Sequence, residues 1–220
     1  MMLLLMRVYI MNQRFADTIV VLDFETTGLS PNQGDRAIEI GAVRIVNGEV
    51  TDQFQALMNP GIRVNSFIED YTGITNHMLK EAASCSDVMA QFCDFIGDDN
   101  LLAHNASFDK KFLDNELDEI SRTYQGEFTC SLLVSRRINI DSQSHSLGNL
   151  VKQLNLSEEG GFHRALFDAQ MTAKLWLHML DNISQTYGIK RPLFSLMQQI
   201  ANTPKNKVPK ILQNYAIQNA

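Results

Sequence analysis

Val20-Val21-Leu22-Asp23-Phe24-Glu25-Thr26-Thr27-Gly28 is the stretch around which the rest of the chain is organised. It continues from Ile19 without a polar break and ends in a Thr-Thr-Gly turn, the pattern of a buried strand. Side chains alternate along a strand, so Asp23 and Glu25 share one face and Phe24 takes the other. Two carboxylates side by side at the end of an apolar strand repel each other and lose hydration, a cost that a cation offsets. A bound divalent metal is the simplest such cation. For an Asp-x-Glu taken by itself, a solvated acidic turn is the alternative.

The chain has 220 residues and 45% hydrophobic content, enough for one sizeable core with little left for a second. We divide it into an N-terminal extension (1–17), a body (18–186) and a C-terminal tail (187–220). Cys85, Cys93 and Cys130 are odd in number and contain no Cys-x-x-Cys pair. That argues against a disulfide framework or a thiolate zinc site and for a reducing cytoplasm. The apolar start Met1–Met6 is far shorter than a membrane span and lacks a small-residue cleavage pattern, so it is expected to be an extra strand or a start-site extension. The net charge is −6, unevenly spread. All 25 acids lie at or before Asp181, with 14 of the 19 basic residues, while the last five basic residues follow it. An acidic body does not grip a long duplex through many phosphates, but it permits a compact acidic site acting on a strand end.

After the Thr-Thr-Gly turn, Leu29–Asp35 is a loop and Ala37–Val46 a second strand. Asn47-Gly48 is a hairpin signal, and Val50–Met58 returns as a third strand of an antiparallel meander. Asn59-Pro60-Gly61 breaks the chain, and Phe67–Thr75 is expected to be irregular. A helix is plausible from Asn76, and Val88, Phe92, Phe95 and Ile96 mark a clearer helical face before the short strand Leu101–Ala103. Strand and helix then alternate, which predicts an α/β architecture, a mixed five-stranded sheet flanked by helices.

Two further acids belong with the first pair. In Ala103-His104-Asn105-Ala106-Ser107-Phe108-Asp109 the strand passes into a helix that Asn105 or Ser107 can cap. Asp109, Leu113 and Leu117, with Phe112 and Ile120, put Asp109 on the apolar stripe, although it could instead begin the exposed face beside Lys110 and Lys111. After Gly160-Gly161, His163 precedes a helix carrying Asp168, with Ala165, Ala169, Thr172, Ala173, Trp176 and Leu180 as its buried stripe. At about 100° per residue, His163 and Asp168 cannot point into one site from regular helix, so His163 belongs to the loop and Asp168 to the first turns.

Asp23, Glu25, Asp109 and Asp168 offer only oxygen donors, which suits Mg²⁺ or Mn²⁺ and not zinc. Four acids balance two divalent ions, the arrangement that serves in-line displacement at phosphorus. His163 is the natural general base for the attacking water.

Asp23-x-Glu25-Thr26-Thr27-Gly28, His104-Asn105-Ala106-x-Phe108-Asp109 and His163-x-x-x-x-Asp168 resemble, in order, the three motifs of the DEDDh family of 3′–5′ exonucleases. The wording is closest to the proofreading (epsilon) subunit of bacterial DNA polymerase III. The resemblance spans about Thr18 to Leu180, with Ile38-Glu39-Ile40-Gly41-Ala42-Val43 and Thr72-Gly73-Ile74-Thr75 in the same style. It implies a ribonuclease H-like fold, two Mg²⁺ or Mn²⁺ ions, and release of nucleoside 5′-monophosphates from the 3′ end of single-stranded DNA. It also implies that Thr26, Leu29 and Phe108 contact the terminal nucleotide while Asn105 shapes the pocket. Such apolar and aromatic surfaces grip any base without reading its edges. Ordinary core packing is the other reading of Phe108. Phe24 departs from the polar or small residue usual between the two acids, and should point away from the metals.

RNA 3′-end trimming or oligoribonuclease activity remains open, since contacts to a 2′-OH are not legible in the motifs. So does a non-catalytic nucleic-acid or polymerase-binding module. In the tail, Leu193, Phe194, Leu196, Met197 and Ile200 form an apolar stripe, Thr203–Pro209 is a basic linker, and Val208–Ile217 is a second amphipathic segment. Either the first stripe packs back on the body and the rest is a solvated end, or the tail is a docking segment for a polymerase subunit or another partner, with Lys205, Lys207 and Lys210 able to meet phosphates.

Overall fold

The computed structural model describes residues 14–156 and 163–219. The apolar start Met1–Met6 and the Gly160-Gly161 pair lie outside them. Strands β1 (Ile19–Thr26), β2 (Ala37–Val46) and β3 (Glu49–Asn59) form the expected antiparallel meander. Asn47 and Gly48 both adopt positive φ (52° and 85°) in the β2–β3 turn, which matches the twist of the hairpin they close. Strands β4 (Ala83–Ser84), β5 (Leu101–Ala103) and β6 (Phe128–Cys130) complete a mixed sheet of order β4-β3-β2-β1-β5-β6. Among the described residues the sheet thus has six strands where five were expected. Two of them were not located in the sequence, the edge strands β4, two residues parallel to β3, and β6, three residues parallel to β5, both too short to leave a periodic signature.

Helices α1 (Ser66–Thr72), α2 (Asn76–Glu81), α3 (Cys85–Ile96), α4 (Ser107–Asp118), α5 (Ser131–Ile138), α6 (Leu147–Gln153), α7 (Ala165–Tyr187), α8 (Phe194–Asn202) and α9 (Val208–Gln218) surround the sheet. Helix α1 falls where an irregular segment was expected. The Asn65 side chain accepts from the Ile68 N–H at 3.0 Å, and Gly73 closes the helix in the left-handed conformation at φ 71°, so seven residues are held by their two caps.

Alternation along β1 divides the core. Ile19 and Val21 pack into a cluster with Leu175, Trp176, Met179, Phe194 and Leu212 from α7, α8 and α9. Val20, Leu22 and Phe24 pack with Met89, Phe92, Phe112 and Leu113 from α3 and α4. Asp23 and Glu25 continue the first series, so they face the α7 side, and Phe24, 4% exposed, points away from them as expected. Trp176 is fully buried, and its indole N–H donates to the Ala16 carbonyl at 2.7 Å. The stripe of the tail packs into the same core: Phe194, Leu196, Met197 and Ile200 of α8 and Val208 and Leu212 of α9 are all buried there. The linker expected over Thr203–Pro209 is in part a 3-10 turn, Lys205–Lys207, leading directly into α9.

Candidate active site

The site lies where β1 outruns β5. Their parallel pairing is confined to Val20–Leu101 and Val21–Leu102. Further along, the Phe24 N–H donates to Asp109 Oδ1 at 3.2 Å, so the carboxylate of α4 takes up a strand donor beyond the ladder. Helix α4 is fixed over this end of the sheet by Glu116, 1% exposed, which accepts a two-pronged bond from Arg36 (Nε to Oε1 2.8 Å, Nη2 to Oε2 2.7 Å) and the Ala37 N–H at 3.2 Å. The expected side-chain cap on α4 is not made. Asn105 instead turns the backbone at φ 70°, and its carbonyl accepts from the Phe108 N–H at 2.9 Å. His104, half-buried beside this turn between Ser131 and the His145 carbonyl, is pushed down to about 4, chiefly by desolvation, and is neutral near pH 7.

On the other side, α7 approaches the sheet closely. A Cβ on Gly41 would collide with the backbone of Ala165 and Leu166, so the missing side chain is what admits the helix end. Gly41 pairs with Asp23, and Glu39 with Glu25, which puts the helix start directly over the two acids of β1. His163 precedes the helix at φ 70°, and its amide donates to Asp168 Oδ2 at 3.2 Å. The ligand atoms of Glu25, His163 and Asp168 all lie within 4.8 Å of one another. The sequence assignment of His163 to the loop and Asp168 to the first turn of helix therefore holds.

Burial, and for most of them the crowding of like charges, shows in the acids themselves. Asp23 is raised well above the usual carboxylate range by burial and then by Asp109, Asp168, Glu25 and Glu39. Burial, then Asp168, Glu39 and Asp109, lifts Glu25 to about 8, with Arg164 pulling the other way. Asp109 is lifted to about 7, again by burial, against the bond from Phe24. Asp168 is raised by burial against the His163 amide. Asp168 Oδ1 is buried and has no hydrogen-bond partner among the described residues. A buried carboxylate oxygen of this kind is costly unless something fills its lone pairs, and a divalent cation among four carboxylates fits that requirement.

Of the expected nucleotide contacts, Thr26 is nearly buried and donates to the Gly28 carbonyl at 2.6 Å. Leu29 is 73% exposed, Asn105 is exposed, and Phe108 is half-buried against Phe112 (ring centroids 5.1 Å apart). Lys111 joins two of these places: its ammonium donates to the Leu29 carbonyl and lies 5.1 Å from the Phe108 ring centroid.

Four residues near the site escaped sequence reasoning. The Tyr71 ring rests on His163 with Phe67 stacked behind it at 5.8 Å, and both aromatic residues are at least half exposed. Burial and the nearby Glu25, Asp168 and Asp23 raise the Tyr71 hydroxyl. Glu39, fully buried, binds Arg164 and the Ala165 N–H. The available signal for Glu39 was a carboxylate inside the apolar run of β2.

The sequence profile of the exonuclease family RNase_T matches residues 20–176. The chain belongs to this exonuclease family. All three acidic motifs read in the sequence fall inside the matched residues. DNA polymerase III PolC-type from Caldanaerobacter subterraneus subsp. tengcongensis is 38% identical over 173 residues, 78% of this chain and 12% of that protein. DNA polymerase III PolC-type from Staphylococcus epidermidis is 37% identical over 169 residues, 76% and 12% respectively. The chain thus spans about an eighth of the length of these relatives. Among solved structures, Exonuclease X in complex with 5′ overhanging duplex DNA superposes with a TM-score of 0.66 at 24% identity, covering 84% of this chain and 99% of that one. The nuclease domain of 3′hExo, a DEDDh family member bound to rAMP, superposes with a TM-score of 0.63 at 23% identity, covering 80% and 96%. These neighbours share the ribonuclease H-like fold of this exonuclease. Among its described residues no helix is long and apolar enough to cross a membrane.

Proposed function

We propose that this exonuclease removes nucleotides one at a time from the 3′ end of single-stranded DNA, releasing nucleoside 5′-monophosphates in the cytoplasm. The observation that carries the reading is the convergence of Asp23, Glu25, Asp109 and Asp168 on one end of β1, with His163 beside Glu25 and Asp168 and one Asp168 oxygen unpartnered among the described residues. Asp23, Glu25, Asp109 and Asp168 would hold two Mg²⁺ or Mn²⁺ ions. Bound there, the ions supply Lewis-acid activation of water and charge neutralisation at the leaving oxygen. His163, outside the regular helix, takes the proton of the attacking water. Thr26, Leu29, Asn105 and Phe108 border the terminal nucleotide, and the exposed faces of Phe67 and Tyr71 extend that apolar surface. Stacking on such faces tolerates any base.

The PolC-type relatives support a setting in polymerase editing, with a polymerase subunit as partner. The tail offers a place for it, a cleft of about 750 Å³ lined by Phe15, Tyr187, Arg191, Leu193, Tyr215 and Ile217. Digestion of 5′-labelled single-stranded, mismatched-duplex and RNA oligomers tests the reading. A ladder shortening from the 3′ end, dependent on Mg²⁺ or Mn²⁺ and absent with Ca²⁺, is expected on DNA. Cleavage in excess chelator overturns the two-metal mechanism, and preference for the matched RNA oligomer replaces DNA editing with RNA trimming.

A further inference from the structure

Glu39 has no solvent exposure, yet it is not one of the four acids proposed to hold metal. Its carboxylate accepts from Arg164 Nε at 3.3 and 3.2 Å, from Arg164 Nη2 at 2.7 Å, from the Ala165 N–H at 3.1 Å and from Gln55 Nε2 at 2.9 Å. Apart from Gln55, these donors are the two residues that follow His163. A buried ion pair is a weak source of stability, because desolvation offsets most of its attraction. What this pair does supply is geometry: a guanidinium fork and a helix-start N–H on one carboxylate fix the direction in which the chain enters α7.

Asp168 needs this less than His163 does. It sits in regular helix, anchored by the buried Ala169, Thr172, Ala173 and Trp176. His163 lies outside the helix at φ 70°, a conformation that a non-glycine residue keeps only when its surroundings hold it there. We infer that Glu39, paired with Arg164, is a positioning residue that holds the His163–Ala165 junction so that the His163 ring stays beside Glu25 and Asp168. This rests on the proposed role of His163 as the general base.

The test is a double-mutant cycle, with single-turnover and steady-state hydrolysis of a 5′-labelled single-stranded DNA in Mn²⁺. Glu39→Gln keeps the shape and removes the charge. It is expected to lower kcat at least tenfold with KM within threefold of wild type, while in a His163→Ala background it lowers the rate less than twofold, since groups acting as one unit are not additive. An equal loss in both backgrounds, or a raised KM with kcat intact, overturns the inference. Should Glu39→Gln fail to fold in a thermal melt, the pair is approached from the other side. Arg164→Ala should lose kcat, and Arg164→Lys, which keeps the charge without the fork, should recover part of it. Wild-type kcat in Arg164→Ala overturns the positioning role. If the wild type releases no mononucleotide, the exonuclease reading falls and the inference with it; if the wild type is active and these variants match it, only the inference falls.

Discussion

The ring of Tyr71 lies against that of His163, with centroids 3.9 Å apart and planes tilted by 37°. The two residues come from α1 and from the loop before α7, so the contact crosses the mouth of the site and limits how the imidazole turns. Tyr71→Ala is expected to lower kcat by roughly two- to tenfold, the equivalent of a ring pair worth about 0.5–1.5 kcal/mol. Tyr71→Phe, which keeps the ring and loses only the raised hydroxyl, should stay near wild type. Loss of activity in Tyr71→Phe equal to that in Tyr71→Ala would assign the effect to the hydroxyl and remove the stacking argument.

The raised acids fix the pH dependence of the metal-free protein. Glu25 at about 8 and Asp109 at about 7 lie above their ordinary values of 4.5 and 3.8, so between those limits the folded chain holds protons that the unfolded chain has released. Stability therefore falls as pH rises through this window. In chelator the melting temperature should drop between pH 5.5 and pH 8.5, and Asp109→Asn should flatten the drop while abolishing activity. Saturating Mn²⁺ should raise the melting temperature most at pH 8.5, because binding at lower pH must displace protons. A melting temperature in chelator that climbs over this range would contradict the burial and crowding of the acids.

His163→Ala should lower the chemical step by about 10²–10⁴-fold, the usual contribution of a general base, and leave binding of a single-stranded oligomer within a few fold. Unchanged kcat with weakened binding would make His163 a substrate contact.

What the sequence made legible follows physical lines. The β1–β3 meander announced itself through apolar runs joined by Asn47-Gly48, and α7 through a stripe from Ala165 to Leu180. Asp23 and Glu25 were readable because spacing of two on a strand fixes a shared face. Helix α1 was missed because seven residues carry no periodic signal, and only the cap at Asn65 and the left-handed Gly73 reveal it. The partners of Glu39 were invisible because Arg164 is 125 residues away and the contact depends on the closeness that Gly41 permits. The Tyr71 and His163 rings likewise meet only through tertiary packing.

The packing of α9 makes a prediction about the segment set apart in the sequence as a tail. Leu212 is fully buried, and with Val208 it enters the cluster that holds Trp176 and Phe194, on the face of the sheet that carries α7. A side chain so placed contributes to the whole domain, so Leu212→Ala should cost about 2–5 kcal/mol through lost burial and the cavity left behind. Its melting temperature should fall by several degrees. All five proposed catalytic residues lie before Ala169, so kcat on a short single strand, measured well below that melting temperature, should remain within twofold of wild type. Ile217→Ala, at a position 78% exposed, should leave stability nearly unchanged. If Leu212→Ala melts with the wild type, α9 is not seated on the core as described; if it loses kcat while still folded, the helix influences the site through a route that its position does not reveal.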